Sequence, residues 1–120
     1  MRQIRSARPL TSPAARSSRS SAGLGLDTIS DVVSDPWGPA GDAVVAQARD
    51  ARQSGAGGFR FAGPADRPSV LTRMDLAERV RTEVGGLIVV DGPAGLRDDL
   101  AAGLVSGRAD LICFTGEETA

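Results

Sequence analysis

From position 36 onward, apolar residues alternate between helical spacing and short unbroken runs. Residues 40–53 predict a helix, with Ala40, Val44, Ala48 and Ala51 on one stripe and Val45 beside it. Gly55-Ala56-Gly57-Gly58 stops it, and Phe59-Arg60-Phe61-Ala62 predicts a short strand closed by Gly63-Pro64. Thr72-Arg73-Met74-Asp75 has the form of a capping box, followed by a helix face of Leu76, Ala77, Val80 and Val84. Asp75 and Arg79 stand four apart in the order that favours an ion pair. Gly85-Gly86 ends this helix, and Leu87-Ile88-Val89-Val90 is a continuous apolar strand of the kind buried on both faces of a parallel sheet.

The layout then repeats. Asp91-Gly92-Pro93-Ala94-Gly95 predicts a loop, and Leu96, Leu100 and Leu104 mark a helix ending near Gly107. Ala109-Asp110-Leu111-Ile112-Cys113-Phe114 predicts the last strand. The order α-β-α-β-α-β implies right-handed crossovers and an α/β fold with three parallel strands and alternating helices. Helices with such narrow stripes need the sheet to become stable. Three strands leave two open edges, so the region reads as part of a larger α/β unit or as one that needs a partner.

Before position 36 no period is sustained. Residues 1–35 are rich in Ser, Arg, Ala and Pro and predict a disordered tail, leaving 36–120 as the α/β segment. An acid-free, Arg- and Ser-rich start also suits an organellar transit peptide. Against that, the Lys-free, Arg-rich usage continues through the whole chain, and a solvated tail is the preferred reading.

Composition narrows the chemistry. The 120 residues contain no His, no Tyr and no Lys, so all 14 basic residues are Arg. That excludes His-based acid/base catalysis, Ser-His-Asp and Cys-His nucleophile sites, His-ligated zinc and lysine Schiff bases. A self-contained catalyst is not expected. The net charge of −1 hides an asymmetry: residues 1–26 hold five Arg and no acid, and the remainder holds nine Arg against fifteen acids. The acidic segment argues against nucleic-acid binding. Its longest apolar run is far too short to cross a bilayer. The single Cys113 cannot close an internal disulfide, which fits a reducing compartment and an expected cytoplasmic location.

Ligands of parallel α/β proteins sit at the carboxyl ends of strands. Those ends are residues 63–67, 91–95 and 115–116. Gly92 and Gly95 allow close backbone approach, and the helix after them offers N–H groups to a phosphate. The same residues also suit an ordinary turn in which Gly takes positive φ, and Asp91 would repel an anion. Thr115 and Gly116 could add a hydroxyl and an N–H, although Glu117 and Glu118 work against it. Arg67 is either a phosphate ligand or, preferably, a loop charge paired with Asp66. Cys113 reads as a buried thiol, Trp37 as a packing anchor, and Asp98 and Asp99 as a solvated helix face.

Residues 71–85, Leu71-Thr72-Arg73-Met74-Asp75-Leu76-Ala77-Glu78-Arg79-Val80-Arg81-Thr82-Glu83-Val84-Gly85, resemble the helix near the end of NADH:flavin oxidoreductases of the old yellow enzyme type. The strand to Gly92, the helix from Leu96 to Val105 and Gly107-Arg108-Ala109-Asp110-Leu111 follow in the family's order. The resemblance is good over about 70–114 and loose over 39–63. The variant it is most similar to is the oxidoreductase part of bifunctional salicylyl-CoA 5-hydroxylases, which are monooxygenases.

The resemblance implies the last strands of a (β/α) barrel, where FMN phosphate binds, with the family glycine at Gly92. The family's Gly-Arg pair falls at Thr115-Gly116, so its phosphate-binding Arg is missing. The family's substrate-binding His and catalytic Tyr have no counterpart. A whole barrel takes about 250 residues. The resulting expectation is a truncated or degenerate flavin oxidoreductase-like segment, not catalytic alone, with a vestigial FMN-phosphate site at Gly92, Gly95, Thr115 and Gly116. The alternative is a non-enzymatic accessory or assembly module that completes its sheet with another protein or a second copy.

Overall fold

The computed structural model describes residues 25–115. The rest of the expected tail (1–24), Gly116, Glu117 and Glu118 lie outside the described residues. The α/β pattern is present, with four strands and three helices: β1 (Leu26–Ile29), α1 (Pro39–Gln53), β2 (Gly58–Phe61), α2 (Arg67–Glu83), β3 (Leu87–Pro93), α3 (Arg97–Val105) and β4 (Leu111–Thr115). The strands form one parallel sheet in the order β1-β2-β3-β4.

The fourth strand corrects the expected three. β1 lies inside the segment read as tail, because Leu26-Asp27-Thr28-Ile29 buries only Ile29 fully and carries no apolar alternation to announce it. It is held by neighbours: its four residues pair with β2, and the amide of Gly57 donates to the carbonyl of Gly25 at 2.8 Å.

Helix boundaries follow their caps. Pro39 starts α1, where a missing N–H costs nothing. α2 begins at Arg67, not at Thr72. Asp66 is its N-cap, accepting from the Ser69 amide at 3.1 Å and the Ser69 hydroxyl at 2.9 Å, and Pro68 fits the first turn. Thr72 is therefore a mid-helix residue whose hydroxyl donates to the Pro68 carbonyl. The expected Asp75–Arg79 pair is also absent. Arg79 reaches Glu83 at 2.8 Å and Asp42 of α1 at 2.5 Å, while Asp75 accepts from Arg108 at 3.1 Å.

β3 runs through Asp91, Gly92 and Pro93, which were expected to form a loop. Pairing with β4 extends it, Asp91 to Cys113, Gly92 to Phe114 and Pro93 to Thr115. A carboxylate can sit there because Arg60 neutralises it, with Arg60 Nε at 2.9 Å and Nη2 at 2.8 Å from Asp91.

The register divides the sheet into two faces. Ile29, Phe59, Phe61, Ile88 and Val90 join Val44, Val45, Ala48, Val70, Met74, Val80 and Leu100 of the three helices in one apolar core. In-register Thr28, Arg60, Val89 and Leu111 occupy the other face, and Val89 is buried without joining that core. All three helices thus pack on one face, as right-handed crossovers advancing in a single direction require. Leu104, expected on the buried stripe of α3, is 41% exposed; α3 instead presses Leu100 and Gly103 inward.

Candidate functional site

The carboxyl ends of the strands carry two different features. One is the rim of β3 and β4, where the sequence places its phosphate loop. The other is a cavity of about 310 Å³ at the ends of β1 and β2.

At the rim, the structure brings Gly92 and Thr115 close, since Gly92 pairs with Phe114 and Pro93 with Thr115. Gly95 lies beyond them in a single 3₁₀ turn, Ala94–Leu96, leading into α3. Neither Gly92 nor Gly95 has positive φ, so the turn explanation for these glycines does not hold. Gly92 is instead a packing residue: a Cβ there would stand 2.6 Å from Leu100 Cδ1. Gly95 is exposed with open space around it. Asp91 does not oppose an anion at the loop. Its register position puts it on the helix-free face, with Arg60 as its partner.

One rim residue was missed from sequence. Arg97 opens α3, and its guanidinium carbon lies 5.1 Å from the centroid of the Phe114 ring, a cation–π contact. No ion pair between Arg97 and a described carboxylate is present. The first turn of α3 has no side-chain cap and contains Asp98 and Asp99, of which Asp99 is bound by Arg67 at 3.0 Å. That pairing also corrects Arg67, which does not pair with Asp66, because Asp66 is spent on capping α2. Arg67 holds the Asp99 carboxyl below its ordinary value, and Asp66 is lowered in turn by the hydrogen bonds from Ser69.

The cavity lies between the segment after β1 (residues 31–34), the end of β2 and the first two turns of α2. Ile29, Val33, Phe61 and Leu76 give it an apolar lining; Val32 (74% exposed) and Asp31 also line it. Two of its hydroxyls are engaged, Ser69 with Asp66 and Thr72 with Pro68.

Arg73 is the unusual member. Only 7% exposed, it donates through Nη1 to the carbonyl of Asp91 and through Nη2 to that of Pro64. It has carbonyl partners but forms no ion pair with a described carboxylate. Burial lowers its pKa, and the charges of Asp91 and Asp66 offset this only in part. Arg60 differs: burial lowers it too, but its bonds to Asp91 outweigh that and raise it. A signal for Arg73 was available, since it stands three and four positions before Leu76 and Ala77, on the apolar stripe of α2.

Other sequence-selected residues have structural settings. Cys113 is half-buried, with Arg60 Nη2 at 4.0 Å, not enclosed in the core. Trp37 is 61% exposed and lies 5.6 Å from the Arg79 guanidinium. Among the described residues no group of three or more His, Cys, Asp or Glu side chains could hold a metal. No helix among them is long and apolar enough to cross a membrane.

Comparison with known proteins adds no relative. No family model matches the chain. No curated protein matches it. No solved structure matches it.

Proposed function

We propose that the chain is a partial (β/α) barrel of the flavin-oxidoreductase kind that binds FMN through its phosphate at the β3–β4 rim and is not a catalyst alone. The observation that carries this reading is the Arg97 guanidinium at the uncapped start of α3, lying over Phe114 of β4 next to Thr115 at the carboxyl strand end. The sequential strand order with helices on a single face is the arrangement a barrel wall requires.

The rim suits a phosphate. Arg97 brings a guanidinium with no carboxylate partner among the described residues, the uncapped start of α3 brings backbone N–H groups, and Gly95 leaves room for approach. Arg97 would take the place of the family arginine that the sequence lacks at Thr115-Gly116. FMN, when bound, would supply redox chemistry. This chain has neither His nor Tyr to direct protons to or from a substrate beside it. A cytoplasmic setting goes with this reading.

The test is a titration of the purified chain with FMN, followed by flavin fluorescence, with riboflavin as the phosphate-free control. Saturable binding of FMN but not riboflavin, weakened about tenfold by Arg97→Ala, is the expected result. No FMN binding at high micromolar concentration would remove the cofactor from the account.

A second reading is a non-enzymatic accessory module that completes its sheet against a partner. It is favoured by the sheet face that no helix among the described residues covers and by β1 and β4 as the outer strands among those residues, because all-parallel sheets are normally covered on both sides. Size-exclusion chromatography with light scattering checks self-association: a mass above the 12.3 kDa of one chain supports it, and a stable folded monomer counts against it.

A further inference from the structure

We propose that the cavity between β1, β2 and α2 is a second binding site, for a small carboxylic acid with an aliphatic body, and that Arg73 is its cationic anchor. Nothing in the flavin reading assigns this cavity, which lies at the opposite strands of the sheet from the Gly92–Thr115 rim.

The cavity stands at the carboxyl end of a parallel sheet, where such proteins bind ligands. Its volume, about 310 Å³, is at the lower end of the range for small-molecule pockets. Ile29, Val33, Phe61 and Leu76 offer apolar surface to a ligand body of a few carbons.

Charge decides the rest of the ligand. The buried charged residues among those described are Arg73 and Asp91, and Asp91 has the part-buried Arg60 as its ion-pair partner. Arg60 takes the carboxylate of Asp91 on the helix-free face, leaving Arg73 with that residue's carbonyl and with the carbonyl of Pro64. A guanidinium carries five N–H donors, and the two carbonyls engage two of them. Pro64 is itself part of the cavity lining, so the guanidinium lies at the cavity wall. A buried guanidinium held by carbonyls, with no ion pair to a described carboxylate, is stabilised by an incoming carboxylate, and a neutral ligand of the same shape would not supply that stabilisation. Free phosphate, strongly hydrated and without an apolar body, gains nothing from the lining. The nearby acids weaken the attraction without removing it: Asp91 is already paired with Arg60, and Asp31 in the lining and the N-cap Asp66 are exposed.

The experiment titrates the full chain with cyclohexanecarboxylate, cyclohexanecarboxamide and inorganic phosphate, reading affinity by calorimetry and location by amide chemical shifts. The acid is expected to bind at least tenfold more tightly than the amide, with shifts at residues 29–34 and 69–76. Arg73→Gln is expected to abolish that preference. Because Arg73 also braces two carbonyls, Val32→Glu provides a second variant: Val32 is exposed, so the fold tolerates the change, and a carboxylate at the lining should weaken the acid at least fivefold. Asp31→Asn should strengthen it a few fold. Equal binding of acid and amide, no acid binding at 10 mM, phosphate binding as tight as the acid, or Val32→Glu without effect would each overturn the proposal.

Discussion

The two ends of the carboxyl rim use their distinctive residues in opposite ways. At β3–β4 the glycines that look like a ligand cradle are divided between packing and open solvent: Gly92 makes room for Leu100, and a side chain at Gly95 would meet only open space. At β1–β2 the sequence offers only Arg67 as a ligand, which the structure pairs with Asp99, yet the chain folds there around a cavity with a buried guanidinium, Arg73. A glycine shows that something approaches the backbone, and at Gly92 that object is a leucine side chain. An arginine on an apolar helix stripe must find partners when buried, and at Arg73 it finds carbonyls rather than a carboxylate.

The largest effect that would test this contrast is on stability at Arg73. Arg73→Met keeps much of the side-chain bulk but leaves the carbonyls of Asp91 and Pro64 without their donors, and should cost about 2–4 kcal/mol in urea denaturation. A cost below about 0.5 kcal/mol would mean that Arg73 does not brace the site.

Next comes a pair at the other end. Gly92→Ala forces a methyl against Leu100 and should cost about 1–3 kcal/mol, whereas Gly95→Ala should change stability by less than about 0.5 kcal/mol. Equal costs would show that the two glycines share one role, as a ligand cradle would require.

The smallest effect is at the start of α2. Ser69 lowers the pKa of Asp66, so the stabilisation from its carboxylate is complete above the ordinary carboxylate range. It is lost as pH falls through the depressed folded-state value. Asn caps helices about as well as Asp but does not titrate there. The melting-temperature difference between wild type and Asp66→Asn should therefore change between pH 7 and pH 2, against the wild type at the acid end. A constant difference would detach the cap from the carboxylate charge.

Much of the fold was legible in the apolar rhythm. Helical stripes and the run Leu87-Ile88-Val89-Val90 give the α/β alternation and the parallel sheet, with boundaries that move by a few residues where caps or strand pairing decide. β1 was not legible, because two of its four residues are polar and its order comes from hydrogen bonds to β2. Missing β1 hid the cavity, whose wall begins at Ile29 and continues through the segment that looked like tail. Arg97 was hidden differently: its contact with Phe114 joins residues from separate elements, and only the β3–β4 register brings them together.

The contrast between the two ends is tested most directly by mapping where a bound acid sits. Backbone amide shifts recorded during a cyclohexanecarboxylate titration should concentrate at residues 29–34, 61–64 and 69–76, and leave 92–97 and 114–115 unmoved. Shifts concentrated at 92–97 and 114–115 would contradict the account, placing the acid at the rim proposed for FMN phosphate and reducing the Arg73 cavity to a packing defect.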